Sequence, residues 1–234
     1  NPKTKGIKSF WSIQNPNFLN DIQAYKPDAV LVIGWNYFSH LQVMRHLKGR
    51  VPVLFRGDST LLNEQKGVKK HLRRLVLRQI YKYVDAALYV GSQNKDYYIK
   101  LGLKPEQLIF APHAIDNNRF SCDKDGEAAL WAKNKLNSLH IPASAIVFLY
   151  AGKLETIKNP ELLLRAFSML TTDAHLIIVG NGRLESYLKN KFKSCSNIHF
   201  VDFQNQSLMP AVYRMADVFV LGSDSETWGL AVNE

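Results

Sequence analysis

Short apolar runs alternate with amphipathic stretches along almost all of the 234-residue chain. Runs at 29–34, 51–55, 86–90 and 108–110 read as strands, and stretches at 39–48, about 66–83 and 92–101 as helices. Four to six continuous apolar residues between helices are the pattern of parallel strands buried on both faces. From about 111 to 144 the alternation loosens, with 111–118 reading as a loop and 124–138 as a polar helix. It restarts with strands at 146–150, 176–179, 198–201 and 218–221 and with helices opening at Asn159-Pro160, 183–193 and 208–215. Asn159 is placed to cap its helix, with Pro160 at the first helical position. The expected fold is α/β: two Rossmann-like, doubly wound parallel-sheet domains facing a cleft, at 1–120 and 145–234, joined by a linker at 121–144. The first array has no unit before about residue 28, and the second stops inside a helix at Glu234. Both domains are therefore expected to be incomplete parts of a longer enzyme, inactive when taken alone.

Composition narrows the class. Hydrophobic residues make up 46% and charged residues 21%, the balance of a globular protein rather than a disordered one. The longest apolar runs, such as 145–151, fall far short of the roughly 20 residues a membrane-spanning helix needs. No secretion signal is recognisable, and Cys122 and Cys195 are the two cysteines, so no disulfide framework is expected. The expected location is cytoplasmic, with the inner face of the plasma membrane as a peripheral site. The net charge of +10 is unevenly spread: residues 1–120 hold 19 Lys and Arg against 8 Asp and Glu, and residues 121–234 hold 11 against 12. Much of the excess lies on the helix at 66–83. There Val68, Leu72, Leu75, Val76, Ile80 and Tyr83 share one face, expected to meet the core, opposite Lys70, His71, Arg73, Arg74, Arg78 and Lys82. The plain reading of that basic face is a solvated surface. An anionic membrane surface comes second, and nucleic acid is not expected, since no recognition motif accompanies the charge.

Ligands of open α/β sheets bind beyond the carboxyl ends of the strands. After 146–150 come Gly152, Lys153 and Lys158, which could grip a diphosphate or simply be solvated. After 176–179 comes Gly180-Asn181-Gly182, but Glu185 stands where a dinucleotide fingerprint has its third glycine. A nicotinamide site is disfavoured, and a tight turn is the alternative. After 218–221, Glu226 and Glu234 flank a helix start containing Gly229 and Leu230. Helix-start amides suit a phosphate, and carboxylates suit vicinal sugar hydroxyls. Ser223 and Glu226 also fit a capping box that needs no ligand, although a glycine in the first helical turn would cost about 1 kcal/mol. Asp123-Lys124-Asp125 spells D-x-D but lies in the polar linker, no Cys/His metal spacing occurs, and there is no P-loop. No metal and no cofactor are expected.

These segments, in this order and spacing, together with Ala216-Asp217-Val218-Phe219-Val220, resemble the retaining glycosyltransferases of family 4, over roughly 85–234. Phe55-Arg56-Gly57-Asp58-Ser59 and Phe110-Ala111-Pro112-His113-Ala114-Ile115-Asp116 are similar to one bacterial branch of that family. The resemblance implies the GT-B architecture and a hexosyltransferase that moves a sugar from a UDP- or GDP-sugar to a glycan or lipid-linked acceptor in cell-surface polysaccharide synthesis, with retention and without a metal. It also implies that Lys153 and Lys158 meet the diphosphate, Glu234 the ribose, Glu226 the sugar, and the amides at Gly229 and Leu230 the distal phosphate. Asp58 and His113 follow apolar runs and could orient the acceptor or meet the donor sugar. Asp202 departs from the pattern, standing where many members have glycine. The alternatives are a GT-B sugar-nucleotide epimerase and a non-catalytic basic module that binds anionic lipid.

Overall fold

The computed structural model describes residues 10–11, 16–62, 67–121 and 126–234. Asp123-Lys124-Asp125, Cys122 and the first residue of the expected basic helix lie outside the described residues. The chain divides into two compact units, Asn1–His113 and Ala114–Glu234.

In chain order the first unit comprises α1 (Phe18–Tyr25), β1 (Val30–Ile33), α2 (Phe38–Leu47), β2 (Val53–Arg56), α3 (Val68–Tyr81), β3 (Ala86–Tyr89), α4 (Ser92–Lys100) and β4 (Leu108–Phe110). Its sheet is parallel and sequential, β1-β2-β3-β4. Right-handed crossovers that always step in one direction place every connecting helix on the same face. Accordingly Val43, Met44 and Leu47 of α2, Leu77, Ile80 and Tyr81 of α3, and Tyr97 and Tyr98 of α4 pack on Val32, Val53, Phe55 and Ala87. The opposite face is open: Leu31, Ile33 and Ile109 are exposed, and Leu54 and Leu88 are half-buried.

The second unit comprises α5 (Asn117–Phe120), α6 (Glu127–Ser138), β5 (Ile146–Ala151), α7 (Pro160–Ser168), β6 (Ala174–Val179), α8 (Glu185–Lys191), β7 (Ile198–Val201), α9 (Met209–Tyr213), β8 (Val218–Phe219) and α10 (Leu230–Asn233). The sheet order is β7-β6-β5-β8, all parallel. The chain therefore steps one way from β5 to β7 and then crosses back to the other side of β5. Reversing direction moves the helices to the other face. Leu164, Phe167 and Leu188 of α7 and α8 pack with Tyr150, Leu176 and Ile178. Ala132 of α6 and Val212 of α9 pack with Leu149, Ile177 and Val179. The second sheet is thus doubly wound and covered on both faces.

Two expectations change. The stretch at 121–144, read as a linker, contains α6, and its Ala132 is only 3% exposed in the second core. Its apolar positions Trp131, Leu136 and Leu139 pack there as well, so the helix is a layer of the second unit. In α3 the outcome is reversed for most of the apolar stripe. Leu77, Ile80 and Tyr81 are buried, whereas Val68, Leu72, Leu75 and Val76 face solvent.

The same device starts a strand in each sheet. Asp85, just before β3, accepts from the Val53 amide at 2.9 Å, and Asp217, just before β8, accepts from the Val147 amide at 2.8 Å. Each aspartate amide in turn donates to the carbonyl of the same valine. Burial pushes the Asp85 carboxyl up, but the bonds from Lys48 and Val53 outweigh it, and its pKa lies below the ordinary value. Asp217 ties edge strand β8 to β5 with one charge-assisted hydrogen bond. Asp217→Ala should lower unfolding free energy by about 2 kcal/mol in urea titration. A change under about 0.5 kcal/mol, the size of an ordinary surface substitution, would contradict this role.

Candidate functional site

Strand order reverses at β5, which has β6 on one side and β8 on the other. At such a point two neighbouring strand-to-helix loops leave toward opposite faces, and a crevice opens between them. Here the loops are 152–159 after β5 and 220–229 after β8. Two cavities of about 280 and 190 Å³ lie at these strand ends and share Ala151, Gly152 and Ala231 in their walls. Lys153, Gly180 and Glu234 line the larger, and Lys158, Glu226, Gly229 and Leu230 the smaller. Gly152, Lys153, Lys158, Gly180, Gly229, Leu230, Glu226 and Glu234 thus gather at one end of one sheet.

Hydrogen bonds hold the two loops together. Lys158 Nζ donates to Glu226 Oε1 at 2.5 Å, and the Ser223 hydroxyl donates to the same oxygen at 2.6 Å. Asn159 Nδ2 donates to Asp224 Oδ1 at 2.9 Å, and the Asp224 amide donates to the Ile157 carbonyl at 3.0 Å. Two expectations are corrected here. Asn159 occupies the N-cap position with a left-handed backbone (φ +45°), but its side chain makes no cap bond and reaches Asp224 instead. Ser223 and Glu226 do not form a capping box, because the helix after them starts only at Leu230. Burial alone would raise the Glu226 carboxyl, but the bonds from Lys158 and Ser223 outweigh it and hold its pKa below the usual value.

The glycines have local reasons. Gly180 has φ +140°, and a Cβ there would stand 2.0 Å from the Gly152 carbonyl oxygen. At Gly182 a Cβ would stand 2.4 Å from the Leu154 carbonyl oxygen. The 180–182 loop runs against 152–154, with Gly152 N to Val179 O at 3.0 Å and Leu154 N to Asn181 O at 2.9 Å. These two glycines therefore let backbone meet backbone beside the cavity. Gly229 sits at the cap position rather than in the first turn and has φ +71°. Its left-handed backbone accounts for glycine there without a ligand.

Glu234 accepts from Tyr213 at 2.8 Å and from Gln206 at 3.1 Å. Burial, then the Glu234 bond and charge, push the Tyr213 hydroxyl well above its ordinary pKa. Tyr150 is fully buried and donates to the Lys153 carbonyl at 2.9 Å. Burial and the nearby Glu226 charge push it up to about 12, so it stays a donor. Tyr150, Tyr213, Gln206 and Asp224 were not among the residues expected from sequence. For Tyr150 a signal existed, a polar tip ending an apolar run directly before Gly152. Asp202 is exposed and pairs with Lys189 at 3.2 Å, and it is not among the residues lining the two cavities.

Asp58 and His113 lie in the first unit, in the wall of a 390 Å³ cavity at the carboxyl ends of β1 and β2. His113 Nε2 meets Asp58 Oδ1 at 3.2 Å, and Arg56 Nη2 meets His113 Nδ1 at 3.3 Å. Because a guanidinium only donates, Nδ1 accepts and Nε2 carries the proton given to Asp58. Tyr98 donates to the Gly57 carbonyl at 2.9 Å and buried Asn94 to the Ser59 carbonyl at 2.8 Å, strapping the loop that carries Asp58. Arg56 is a member that sequence reasoning left out, although it is the lone charge in its strand.

Residues 132–234 match the family described as glycosyl transferases group 1. The chain is 28% identical over 170 residues to mannosylfructose-phosphate synthase of Agrobacterium fabrum, covering 66% of this chain and 36% of that protein. A 78-residue stretch is 41% identical to the O-antigen biosynthesis glycosyltransferase WbnH of Escherichia coli, covering 33% of this chain and 22% of that protein. Anabaena HepE, solved in complex with UDP and glucose, superposes with a TM-score of 0.68 at 16% identity, over 93% of this chain and 59% of that one. Sucrose-phosphate synthase from Thermosynechococcus elongatus superposes with a TM-score of 0.69 at 20% identity, over 92% and 55%. The fold is that of the GT-B glycosyltransferases, two parallel α/β units of four strands each in tandem. The chain spans between about a fifth and just over a third of the length of these two curated relatives.

The Lys158–Glu226 pair gives a pH signature. A carboxylate whose folded pKa is depressed adds stability that is present above its ordinary value, 4.5 for Glu226, and lost as pH falls through the folded value. The Glu226 side-chain carbon should titrate by NMR below 4.5, and Lys158→Ala should move that midpoint upward. A midpoint at or above 4.5 in the unsubstituted protein would contradict the pairing.

Proposed function

We propose that the complete protein transfers a hexosyl group from a UDP- or GDP-sugar to a glycan or lipid-linked acceptor, with retention and without a metal, in the synthesis of a cell-surface polysaccharide. The observation that carries this reading is the convergence of Lys153, Lys158, Glu226 and Glu234 on the crevice where strand order reverses. The family match over 132–234 and the fold shared with proteins solved with UDP support it. O-antigen glycosyltransferases among the relatives favour a surface glycan as the product.

The chemistry follows from charge. As the sugar–phosphate bond breaks, the leaving diphosphate gains negative charge, and cations already aimed at it lower the barrier. Lys158 is held by Glu226 here. A diphosphate competes with that carboxylate for the ammonium, and once it takes Lys158, Glu226 is released to accept from sugar hydroxyls. Donor binding and orientation of the sugar are thereby linked through one ion pair. Glu234, held by Tyr213 and Gln206, is a preset acceptor for the vicinal hydroxyls of a ribose. Asp58 and His113, with the proton fixed on Nε2, present a polar pair suited to a sugar hydroxyl of donor or acceptor. The chain of 234 residues is proposed to hold the donor but not to turn over alone, since transfer needs donor and acceptor positioned together.

Steady-state kinetics of the full-length enzyme separate these roles. Glu226→Gln should lower kcat by about 10- to 100-fold without raising the donor KM, since it also removes the carboxylate that competes for Lys158, and Glu234→Gln should raise the donor KM by a similar factor through loss of a charge-assisted bond. If neither parameter moves in either variant, the assignment of both glutamates fails.

A further inference from the structure

Two donors aim the Glu234 carboxylate: Gln206 Nε2 on Oε1 at 3.1 Å and the Tyr213 hydroxyl on Oε2 at 2.8 Å. Among the described residues these bonds use one lone pair on each oxygen, of the roughly four that an ionised carboxylate offers. Both oxygens thus keep a lone pair for a ligand hydroxyl. What aims Gln206 and Tyr213 lies far back in the sequence, on α5. Arg119 Nη2 donates to the Gln206 carbonyl, 87 residues on. The Phe120 ring meets the Tyr213 ring edge-on with centroids 6.0 Å apart, and Phe219 meets it at 5.6 Å. Arg214, next to Tyr213, bonds in the other direction, its Nη2 donating to the Ser121 carbonyl at 2.8 Å. The Asp116 carboxylate accepts from the Arg119 amide at 3.2 Å and fixes the turn that carries the guanidinium. That guanidinium lies over the Phe120 ring at 5.1 Å, and its Nε is shut off from solvent. Neither Arg119 nor Phe120 lines the two cavities of the crevice.

We propose that Arg119 is a positioning residue for nucleotide binding, acting through Gln206 on Glu234. This rests on the assignment of Glu234 to the ribose hydroxyls and extends it to a residue that does not touch the nucleotide. Gln206 opens a three-residue 3-10 turn, Gln206–Leu208, and the guanidinium holds the backbone at that end. The amide side chain reaches Oε1 only while its own backbone stays in place. A shift of about 0.5 Å carries the 3.1 Å bond past the limit of a hydrogen bond. Without Arg119 the Glu234 carboxylate loses one of its two supports. A ribose must then order it on binding, at a cost in affinity. The loss is confined to the ribose end, because Lys153 and Lys158 stand on a different loop, the one after β5.

The test is calorimetric titration of the full-length protein with UDP and GDP, and with the 2′,3′-dideoxy form of each. Arg119→Gln should weaken binding of the ribonucleotide by about fivefold or more, and leave the dideoxy nucleotide within about twofold. Arg119→Lys, which keeps a cation and a donor, should recover most of the lost affinity. Gln206→Ala removes the next link at an exposed side chain and should discriminate between the two nucleotides in the same way. Added to Glu234→Gln, Arg119→Gln should bring little further loss, since both act through one carboxylate. An equal loss for the ribonucleotide and the dideoxy nucleotide overturns the proposal and leaves Arg119 a role in the fold alone. So does full affinity in Arg119→Gln or Gln206→Ala while Glu234→Gln weakens the ribonucleotide, a result that leaves the ribose assignment standing. Unchanged affinity in Glu234→Gln, or no binding of either nucleotide, overturns the ribose assignment and this proposal with it.

Discussion

Strand β5 has a parallel neighbour on each side, and the chain reaches them by winding in opposite directions. That reversal is the constraint on which the rest of the second unit depends. Right-handed crossovers leave α7 and α8 on one face and α9 on the other, so Tyr150 and Leu149, adjacent in sequence, are each fully buried in a different core. The loops after β5 and β8 must then part, and the gap between them is where Lys158 and Glu226 meet. In the first unit the described strands step in one direction only, and Leu31, Ile33 and Ile109 on one face of the sheet are exposed. The Asp58–His113–Arg56 group gathers there at strand ends without such a reversal.

The crevice keeps its shape through backbone contact. Gly180 and Gly182 allow one strand-end loop to lie against another at distances a Cβ forbids. Asn159 and Asp224 join the loops across the gap, and Asp217 ties β8 to β5 at the opposite end of the strands. Charged side chains are then set on a rigid frame, and an ion pair at its mouth can exchange partners without moving the sheet. A preset frame of this kind is what electrostatic stabilisation of a leaving group requires.

Much of this was legible in the residues. Continuous apolar runs such as Leu176–Val179 mark strands, and the residues at their ends point to Gly152, Lys158, Glu226 and Glu234. What could not be read was which neighbour each polar side chain chooses. Asn159 has the chemistry of a cap and sits at the cap, yet a left-handed backbone turns it to Asp224. Gly229 looked like a space for phosphate and has a backbone reason of its own. In α3 the periodicity grouped Val68, Leu72, Leu75, Val76, Ile80 and Tyr83 on one apolar face and passed over Leu77 and Tyr81, and tertiary packing instead turns Leu77, Ile80 and Tyr81 to the core. The helix at 127–138 reads as polar, and its place in the second core rests on a few residues, Ala132 and Trp131 among them, too sparse to show as a stripe.

The central claim is that the crevice between β5 and β8 receives a nucleoside diphosphate. Amide resonances followed by two-dimensional NMR during titration with UDP or GDP test it directly. The account predicts that the largest perturbations fall at Gly152, Lys153, Lys158, Glu226, Gly229 and Leu230, and that Lys158→Ala weakens them. Perturbations concentrated instead around Arg56, Asp58 and His113, or none with either nucleotide, would contradict it.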